Sequence, residues 1–156
     1  GNGQSFGGGP CIDTQYYDMR VGQGLGLDQW LCLSITDGNL VFGMDDDGDL
    51  VLVDVSGDNP FTIWSAGTAG QGKSASLLSD GDLVVYGDDD ATEVIWNSGT
   101  SRNGNEVTLG IYYDEQSIRS SYAYLDDGDS NKVWWTLREG GVHGNGRCLT
   151  IYGLEP

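Results

Sequence analysis

Residues 45–49 read DDDGD and place four carboxylates around one glycine, a composition that could hold a cation. Carboxylates at alternate positions, here Asp45, Asp47 and Asp49, are ligands that Ca2+ accepts. An EF-hand loop also needs glycine at its sixth position and glutamate at its twelfth, where this chain has leucine and serine. The EF-hand is therefore excluded. An irregular calcium site stays an alternative, and we favour a solvated acidic edge that prevents strand-to-strand aggregation.

The residues after this loop indicate the element that must position it. Residues 50–53, LVLV, are all apolar and alternate leucine with β-branched valine, and glycine and aspartate bound them on both sides, which is typical of a strand between turns. The 156-residue chain has 26 glycines and three prolines, and no segment shows an apolar period of 3.6. We therefore predict one all-β domain. No window approaches eighteen apolar residues, so we expect no membrane insertion.

The formal net charge of −17 limits the partners. Nucleic acids and anionic membrane surfaces would be repelled, so neither is expected to bind. Aspartate provides 19 of the 24 acidic residues. Turn preference explains most of these positions, and adaptation to a salty exterior is the alternative.

Three cysteines, Cys11, Cys32 and Cys148, cannot all pair within one chain. The sequence has no C-x-x-C, and its single histidine is His143, so a zinc site of cysteine and histidine is not expected. We predict a Cys11–Cys32 disulfide that ties the glycine-rich start of the chain to an early strand. This interpretation places the protein outside the cell. No motif indicates a metal or other cofactor.

Two segments of the chain have similar sequences, and a third segment resembles them more weakly. Residues 44–72 and 77–104 each contain DGDLV followed by W-x-S-G-T or its close variant. Residues 116–136 align with them when the ten-residue separation of Tyr and Trp is matched. Three such units predict three sheets around a pseudo-threefold axis. The equivalent tryptophans would then meet in a shared structural core; they are Trp64, Trp96 and Trp134.

The runs L-x-x-D-G-D-L-V-x-Y and W-x-S-G-T resemble the bulb-type (monocot, or B-lectin) mannose-binding lectins. The resemblance covers residues 25–137, and the segment 21–34 is similar to the opening strands of that family. It implies a β-prism of type II, with three four-stranded antiparallel sheets. It also implies one sugar site per repeat, written Q-x-D-x-N-x-V-x-Y, whose alternate residues point to one face of a strand.

No repeat keeps that site intact. The corresponding positions are Asp45, Asp47, Asp49, Val51 and Val53 in the first repeat, Leu78, Asp80, Asp82, Val84 and Tyr86 in the second, and Gln116, Ile118, Ser120, Tyr122 and Tyr124 in the third. Aspartate in place of asparagine keeps the acceptors and loses the amide donors, so sugar binding is weakened rather than excluded. The second repeat is the preferred carbohydrate site. Further predicted contacts are Gln116, Tyr124, Asp45, Asp47, Asp49 and Val51. The alternative interpretation of the second repeat is a turn that leads into a strand.

The sequence contains no nucleophile elbow, metalloprotease or P-loop motif, so we predict a protein without enzymatic activity. The expected function is non-catalytic recognition of mannose-type glycans. The alternative is an extracellular assembly protein that keeps the scaffold and has lost sugar binding. We predict a flexible extension over 1–20, the prism over 21–137 and a second extension over 138–156. In the last of these, 147–154 could form an exchanged strand and make a homo-oligomer.

Overall fold

The computed structural model describes residues 5–6, 9–14, 18–33, 40–137 and 142–143, and side chains within 19–32 and 40–137. The strands are β1 (Ser5–Phe6), β2 (Gly9–Thr14), β3 (Asp18–Arg20), β4 (Gly24–Gly26), β5 (Gln29–Leu33), β6 (Leu40–Met44), β7 (Leu50–Asp54), β8 (Phe61–Ser65), β9 (Ser74–Leu77), β10 (Leu83–Tyr86), β11 (Val94–Asn97), β12 (Thr108–Tyr112), β13 (Tyr122–Asp126), β14 (Lys132–Trp135) and β15 (Val142–His143). A 3₁₀ turn spans Ile118–Ser120. No helix in these ranges is long and apolar enough to cross a membrane.

The strands form three sheets, which confirms the predicted all-β architecture. The first sheet has the order β1-β2-β5-β6-β7-β8-β15, the second β11-β10-β9-β4 and the third β14-β13-β12-β3. Neighbouring strands are antiparallel, except that β2 pairs with β5 in parallel. Each sheet thus has a four-stranded antiparallel unit, and the first is widened by β1 and β2 on one edge and by β15 on the other.

The two DGD segments form the same hairpin turn. In the first repeat the N–H of Asp45 donates to the carbonyl of Asp49, and in the second the N–H of Leu78 donates to the carbonyl of Asp82. The glycine of each turn has a positive φ, 89° at Gly48 and 96° at Gly81. A side chain at Gly48 would also collide with the Gly72 carbonyl. Glycine is therefore required here by both conformation and space.

Three tryptophans pack against one another at the centre of the prism. The ring centroids of Trp64, Trp96 and Trp134 are 5.6–5.9 Å apart, and all three pairs are edge-to-face. Trp64 is 1% exposed and Trp134 7%, while Trp96 is half-buried against the same core. This confirms the predicted shared tryptophan core. Leucines and valines from the inner faces of all three sheets complete it.

The expected boundary of the prism at residue 21 is wrong. The described parts of the first twenty residues are strands, and β3 completes the third sheet by pairing with β12. The prism therefore begins by Asp18. At the other end, β15 pairs with β8 of the same chain. The segment 147–154, predicted to form an exchanged strand, lies outside the described residues.

Cys32 forms a disulfide. The predicted partner, Cys11, lies on β2, which pairs with the strand of Cys32. The side chain of Cys11 and the whole of Cys148 lie outside what the structure describes, so the Cys11–Cys32 pairing stays a prediction.

Candidate functional site

The outer face of the first sheet carries an apolar layer of its own. In β7, Leu50 and Leu52 belong to the prism core, whereas Val51 and Val53 belong to a separate cluster on the opposite face. This alternation follows from the pleat of a strand. The other buried members of the outer cluster are Trp30, Cys32 and Val41. The first sheet thus has a second buried apolar layer outside the prism core.

A cleft of about 270 Å³ lies over this layer. It is lined by Asp28, Trp30, Asp45, Asp46, Val51, Val53, Pro60 and Thr62. Two predicted site residues, Asp45 and Val51, therefore share one cavity. Val51 and Val53 are only 4% and 3% exposed, so the floor is apolar and closely packed. An apolar floor with a few polar groups around it is the usual form of a small-ligand site.

Two carboxylates of the cleft are held by hydrogen bonds from their own chain. Asp45 Oδ1 accepts from the backbone N–H groups of Asp47 and Asp49, at 3.0 and 2.9 Å. Asp28 Oδ1 accepts from the indole Nε1 of Trp30 at 3.0 Å. Within the described residues, neither Oδ2 receives a hydrogen bond. Each side chain is therefore oriented through one oxygen and keeps acceptor capacity on the other.

Burial raises the pKa of Asp45 above its ordinary value of 3.8. Hydrogen bonds from the backbone of Asp49 and Asp47 oppose this shift, and the negative charges of the same two residues add to it. A donor from a ligand hydroxyl would favour its charged form.

The carboxylate at the asparagine position of the first repeat is a structural clamp. Asp49 Oδ1 accepts from the N–H groups of Gly67 and Thr68, at 3.1 and 2.9 Å. Its Oδ2 accepts from Ser65 Oγ at 2.6 Å. Asp49 thus joins the start of β7 to the S-A-G-T turn after Trp64, and it is not among the residues lining the cleft. We name this arrangement the turn latch.

The second repeat has the same turn latch. Asp82 Oδ1 accepts from Ser98 Oγ, Gly99 N–H and Thr100 N–H, at 3.0, 3.1 and 3.2 Å. Thr100 Oγ1 in turn donates to the carbonyl of Gly81 at 2.7 Å. The latch explains why DGD and W-x-S-G-T occur together in both repeats. The aspartate of one motif binds the turn of the other.

The other predicted residues of the second repeat are placed along one outer face. Asp80 is exposed, and its Oδ1 accepts from the N–H of Asp82 at 3.0 Å. Val84 is buried, and half-buried Tyr86 lies opposite Ser74 of β9. The carbohydrate-binding role of this row stays a prediction, with Asp82 already engaged in its turn latch.

The alignment of the third repeat is wrong by two residues. Val85 pairs with Trp96 and Leu125 with Trp134, and a register shift follows each of these positions. Tyr124 therefore corresponds to Val84 rather than to Tyr86. Matching the Tyr–Trp separations failed because the hairpin loop has seven residues in the second repeat (87–93) and five in the third (127–131). The equivalent row is Ile118, Ser120, Tyr122, Tyr124 and Asp126. Gln116 falls before this row and is exposed.

Asp45, Asp47 and Asp49 are not gathered around a common point that would suit a cation. Among the described residues, no group of three or more histidine, cysteine, aspartate or glutamate side chains is placed to hold a metal ion. Asp45 and Asp49 instead accept hydrogen bonds from the protein. The geometry of the described chain gives the calcium alternative no support.

Besides Asp46 in the motif turn, four lining residues were missed by the sequence comparison of repeats: Asp28, Trp30, Pro60 and Thr62. They belong to β5, β8 and the adjoining turns, outside the strand that carries the motif. One signal was present in the sequence. Asp28 and Trp30 are two residues apart in a strand-like segment, a spacing that puts an acid and an indole on the same side.

No protein-family model and no curated protein sequence matches the chain. Solved structures match it. A monomeric monocot mannose-binding lectin from Gastrodia elata gives a TM-score of 0.58 at 23% identity, covering 80% of this chain and 98% of that one. The Japanese Marasmius oreades lectin gives 0.61 at 16% identity, covering 88% and 98%. The fold is therefore the β-prism of type II, as the sequence predicted.

Proposed function

We propose that this protein is a lectin, a non-catalytic carbohydrate-binding protein that recognises mannose-type glycans at the cleft on the first sheet. The observation that carries the proposal is the composition of that cleft. It combines an apolar floor, Val51 and Val53, with oriented carboxylates, Asp28 and Asp45. The fold shared with a mannose-binding lectin supports it.

The chemistry of the cleft suits a neutral sugar. A pyranose presents hydroxyl donors at its rim and C–H groups on its faces, and the cleft supplies acceptors and apolar surface for them. Hydrogen bonds from hydroxyls to carboxylates are charge-assisted and stronger than neutral ones. A neutral ligand also meets no repulsion from a chain with a net charge of −17. Thr62 adds a hydroxyl that can donate or accept.

The proposal differs from the sequence-based preference for the second repeat. Both repeats engage their latch aspartate, but the first repeat also has Asp45, which lines a cavity and keeps one oxygen without a hydrogen bond from the described residues, where the second repeat has Leu78. The two sites make different predictions for substitutions. They can therefore be separated in one experiment.

A glycan array at physiological salt, with and without calcium, tests the proposal. We expect binding to mannose-type glycans that does not change when calcium is removed. Asp45→Ala should weaken it about tenfold or more, because a hydrogen bond to a charged group contributes about 1.5–3 kcal/mol. Asp45→Asn keeps the acceptor for the turn and should retain more binding. The matched control is Asp90→Ala, an exposed aspartate outside the cleft.

Loss of binding in Asp80→Ala/Tyr86→Phe, with Asp45→Ala unaffected, would move the site to the second repeat. If the wild-type protein bound no glycan on the array, the alternative of an assembly protein that has lost sugar binding would be favoured.

The Cys32 disulfide supports an extracellular location, because disulfides persist in oxidising compartments. We further propose that the chain forms a homo-oligomer by strand exchange through residues 147–154. Deleting 147–156 should then leave a monomer in light scattering, and an unchanged mass would contradict the exchange.

A further inference from the structure

Two tyrosines face each other across the hairpin of β12 and β13. Tyr112 is the last residue of β12 and Tyr122 the first of β13, and the two are direct partners in the strand register. Their rings are stacked, with centroids 5.0 Å apart and planes 24° apart. Direct cross-strand partners have Cβ atoms about 4.5–5.5 Å apart, so the backbone itself keeps the two rings together. We name Tyr112 and Tyr122 the tyrosine pair.

The tyrosine pair is accessible from solution. Tyr112 is 48% exposed, and Tyr122 is half-buried beside it. Within the described residues, neither hydroxyl forms a hydrogen bond. An oxidant in solution can therefore reach the phenol of Tyr112, and the ring stacked on that phenol belongs to Tyr122.

A third tyrosine on this surface, Tyr124, is placed differently. Its ring meets that of Tyr122 edge-to-face, at 6.1 Å and with planes 61° apart. The ring lies over Gly110, where a Cβ would stand 2.6 Å from its Cζ and Oη. The ammonium of Lys132 is 4.9 Å from the ring centroid. Because a nearby positive charge disfavours removal of an electron, Tyr124 is the poorer partner in an oxidation.

Stacked phenols can be joined by oxidation. Each phenol gives up one electron and its hydroxyl proton and becomes a phenoxyl radical. The two radicals form a bond between the carbons ortho to each oxygen, and the hydrogens on those carbons move to the oxygens and restore both phenols. Hydrogen peroxide, acting through a haem peroxidase, takes up the two electrons and two protons and yields two water molecules.

The geometry of the tyrosine pair favours this bond. The orbitals that form it stand perpendicular to each ring. In a stacked pair these orbitals point at each other, as they do between Tyr112 and Tyr122. In an edge-to-face pair they do not, which disfavours a bond between Tyr122 and Tyr124.

We propose that Tyr112 and Tyr122 form a modification site, at which hydrogen peroxide and a haem peroxidase join the two phenols in an intramolecular dityrosine. The bond ties the end of β12 to the start of β13 and closes the loop 113–121, as a disulfide closes a loop. The disulfide of Cys32 supports an oxidising environment. The modification is independent of sugar binding at the first-sheet cleft, because the tyrosine pair lies on the third sheet.

Peroxidase treatment of the dilute full-length chain, followed by trypsin digestion and mass spectrometry, tests the proposal. Trypsin cleaves after arginine and lysine, and Arg119 separates the two tyrosines. They therefore fall in peptides 103–119 and 120–132. We expect a species that joins these two peptides and is two hydrogen atoms lighter than their sum. On a denaturing gel the treated chain should keep the mass of a monomer.

Phenylalanine keeps the ring and removes the phenol. Tyr112→Phe and Tyr122→Phe should therefore each abolish the joined species. Tyr113→Phe is the matched control and should leave it unchanged, because Tyr113 is the next residue along the chain but packs against the prism core. Tyr124→Phe should also leave it unchanged. In urea the yield should fall several-fold, since the pair is then held together only by the chain between its members.

The outcomes that would overturn the proposal are distinct. A joined species that survives Tyr112→Phe or Tyr122→Phe would place the bond on other tyrosines. An equal yield in urea would mean that the fold does not bring the pair together. A product of dimer mass as the main species would make the bond intermolecular, and the absence of any joined species would remove the site. Each of these results leaves the proposed lectin function untouched, since glycan binding tests that function separately.

Discussion

The inner and outer faces of the three sheets differ in how far they repeat. Inside, each sheet contributes one tryptophan to the same position, and the three rings meet at nearly equal distances. Outside, the first sheet carries a carboxylate-lined cleft, and the third sheet carries three tyrosines in contact on β12 and β13. A shared core must fit three sheets at once, so its residues are constrained together. The residues of each outer row contact only their own surroundings, so their types can differ from one sheet to the next.

The turn latch connects the two faces. Asp49 and Asp82 lie in the outer rows but bind the turn that follows a core tryptophan. The third sheet lacks a carboxylate at this point, where Tyr122 stands instead. On the third sheet Thr136 Oγ1 accepts from the N–H of Ala123 at 3.3 Å, as Ser98 Oγ accepts from the N–H of Leu83 on the second. This bond is therefore common to both sheets, whereas the aspartate latch is not.

The largest expected effect tests the inner face. Trp64→Ala should lower the free energy of unfolding by about 3–5 kcal/mol, because it removes a fully buried aromatic side chain and two edge-to-face contacts. Trp96→Ala should cost less, since Trp96 is half-buried. Urea unfolding of both variants measures the difference. Equal losses at the two positions would contradict the deeper placement of Trp64.

The next effect tests the turn latch. Asp49→Ala and Asp82→Ala should each cost about 1–3 kcal/mol, because donors in the following turn, including the N–H groups of buried Thr68 and Thr100, lose their acceptor. Asp49→Asn keeps one acceptor oxygen and should cost less. Asp90→Ala, at an exposed position, is the control and should change stability by less than about 0.5 kcal/mol. Latch variants as stable as this control would show that the aspartates are not structural.

A third prediction concerns the link between the first and third sheets. Asp54 is 4% exposed. The backbone N–H and the hydroxyl of Ser56 donate to its Oδ1, and the Nε of Arg119 donates to its Oδ2 at 3.3 Å. Burial raises the pKa of Asp54, but these hydrogen bonds and the arginine charge outweigh it and leave the pKa below 3.8. Since the folded pKa is lowered, this stabilisation is present above 3.8 and lost as the pH falls through the folded value.

Comparing wild type with Asp54→Asn in urea at about pH 7 and about pH 2.5 measures that loss. The variant should be about 1–2 kcal/mol less stable at neutral pH, and the gap should narrow in acid. A gap that stays constant would mean that the charge of Asp54 contributes nothing.

The smallest effect concerns the cleft itself. The pKa of Asp45 is raised, so its charged form is disfavoured in the folded state and wild-type stability should increase as the pH falls from neutral towards 3.8. Asp45→Asn removes the charge and keeps the acceptor for the turn. At neutral pH it should be as stable as wild type or up to about 0.5 kcal/mol more stable. A clearly destabilised variant would show that the turn requires the carboxylate charge.

Much of the inner face could be predicted from the sequence, and less of the outer. The repeated DGDLV and W-x-S-G-T segments indicate three sheets and a tryptophan core, because packing imposes the same residue type at each equivalent point. The third repeat was misaligned because the number of residues between tyrosine and tryptophan does not reveal the length of the hairpin loop. Loop length fixes the register of a hairpin.

Only part of the cleft lining could be predicted from the sequence, for a related reason. Asp45 and Val51 belong to the motif turn and strand, whereas Asp28 and Trp30 reach the cleft from β5 and the turn before it, which the motif does not include. The role of Asp49 was also hidden, since composition does not reveal which acceptors the protein itself occupies.

The most direct test of the account is a proton–nitrogen NMR titration with mannotriose that follows the five tryptophan indole signals. Trp30 lines the cleft and donates to Asp28, whereas Trp64, Trp96 and Trp134 pack in the core. A sugar bound in the first-sheet cleft should shift the Trp30 signal and leave the three core signals unchanged. Binding that leaves the Trp30 signal unchanged would contradict a sugar site on the first sheet.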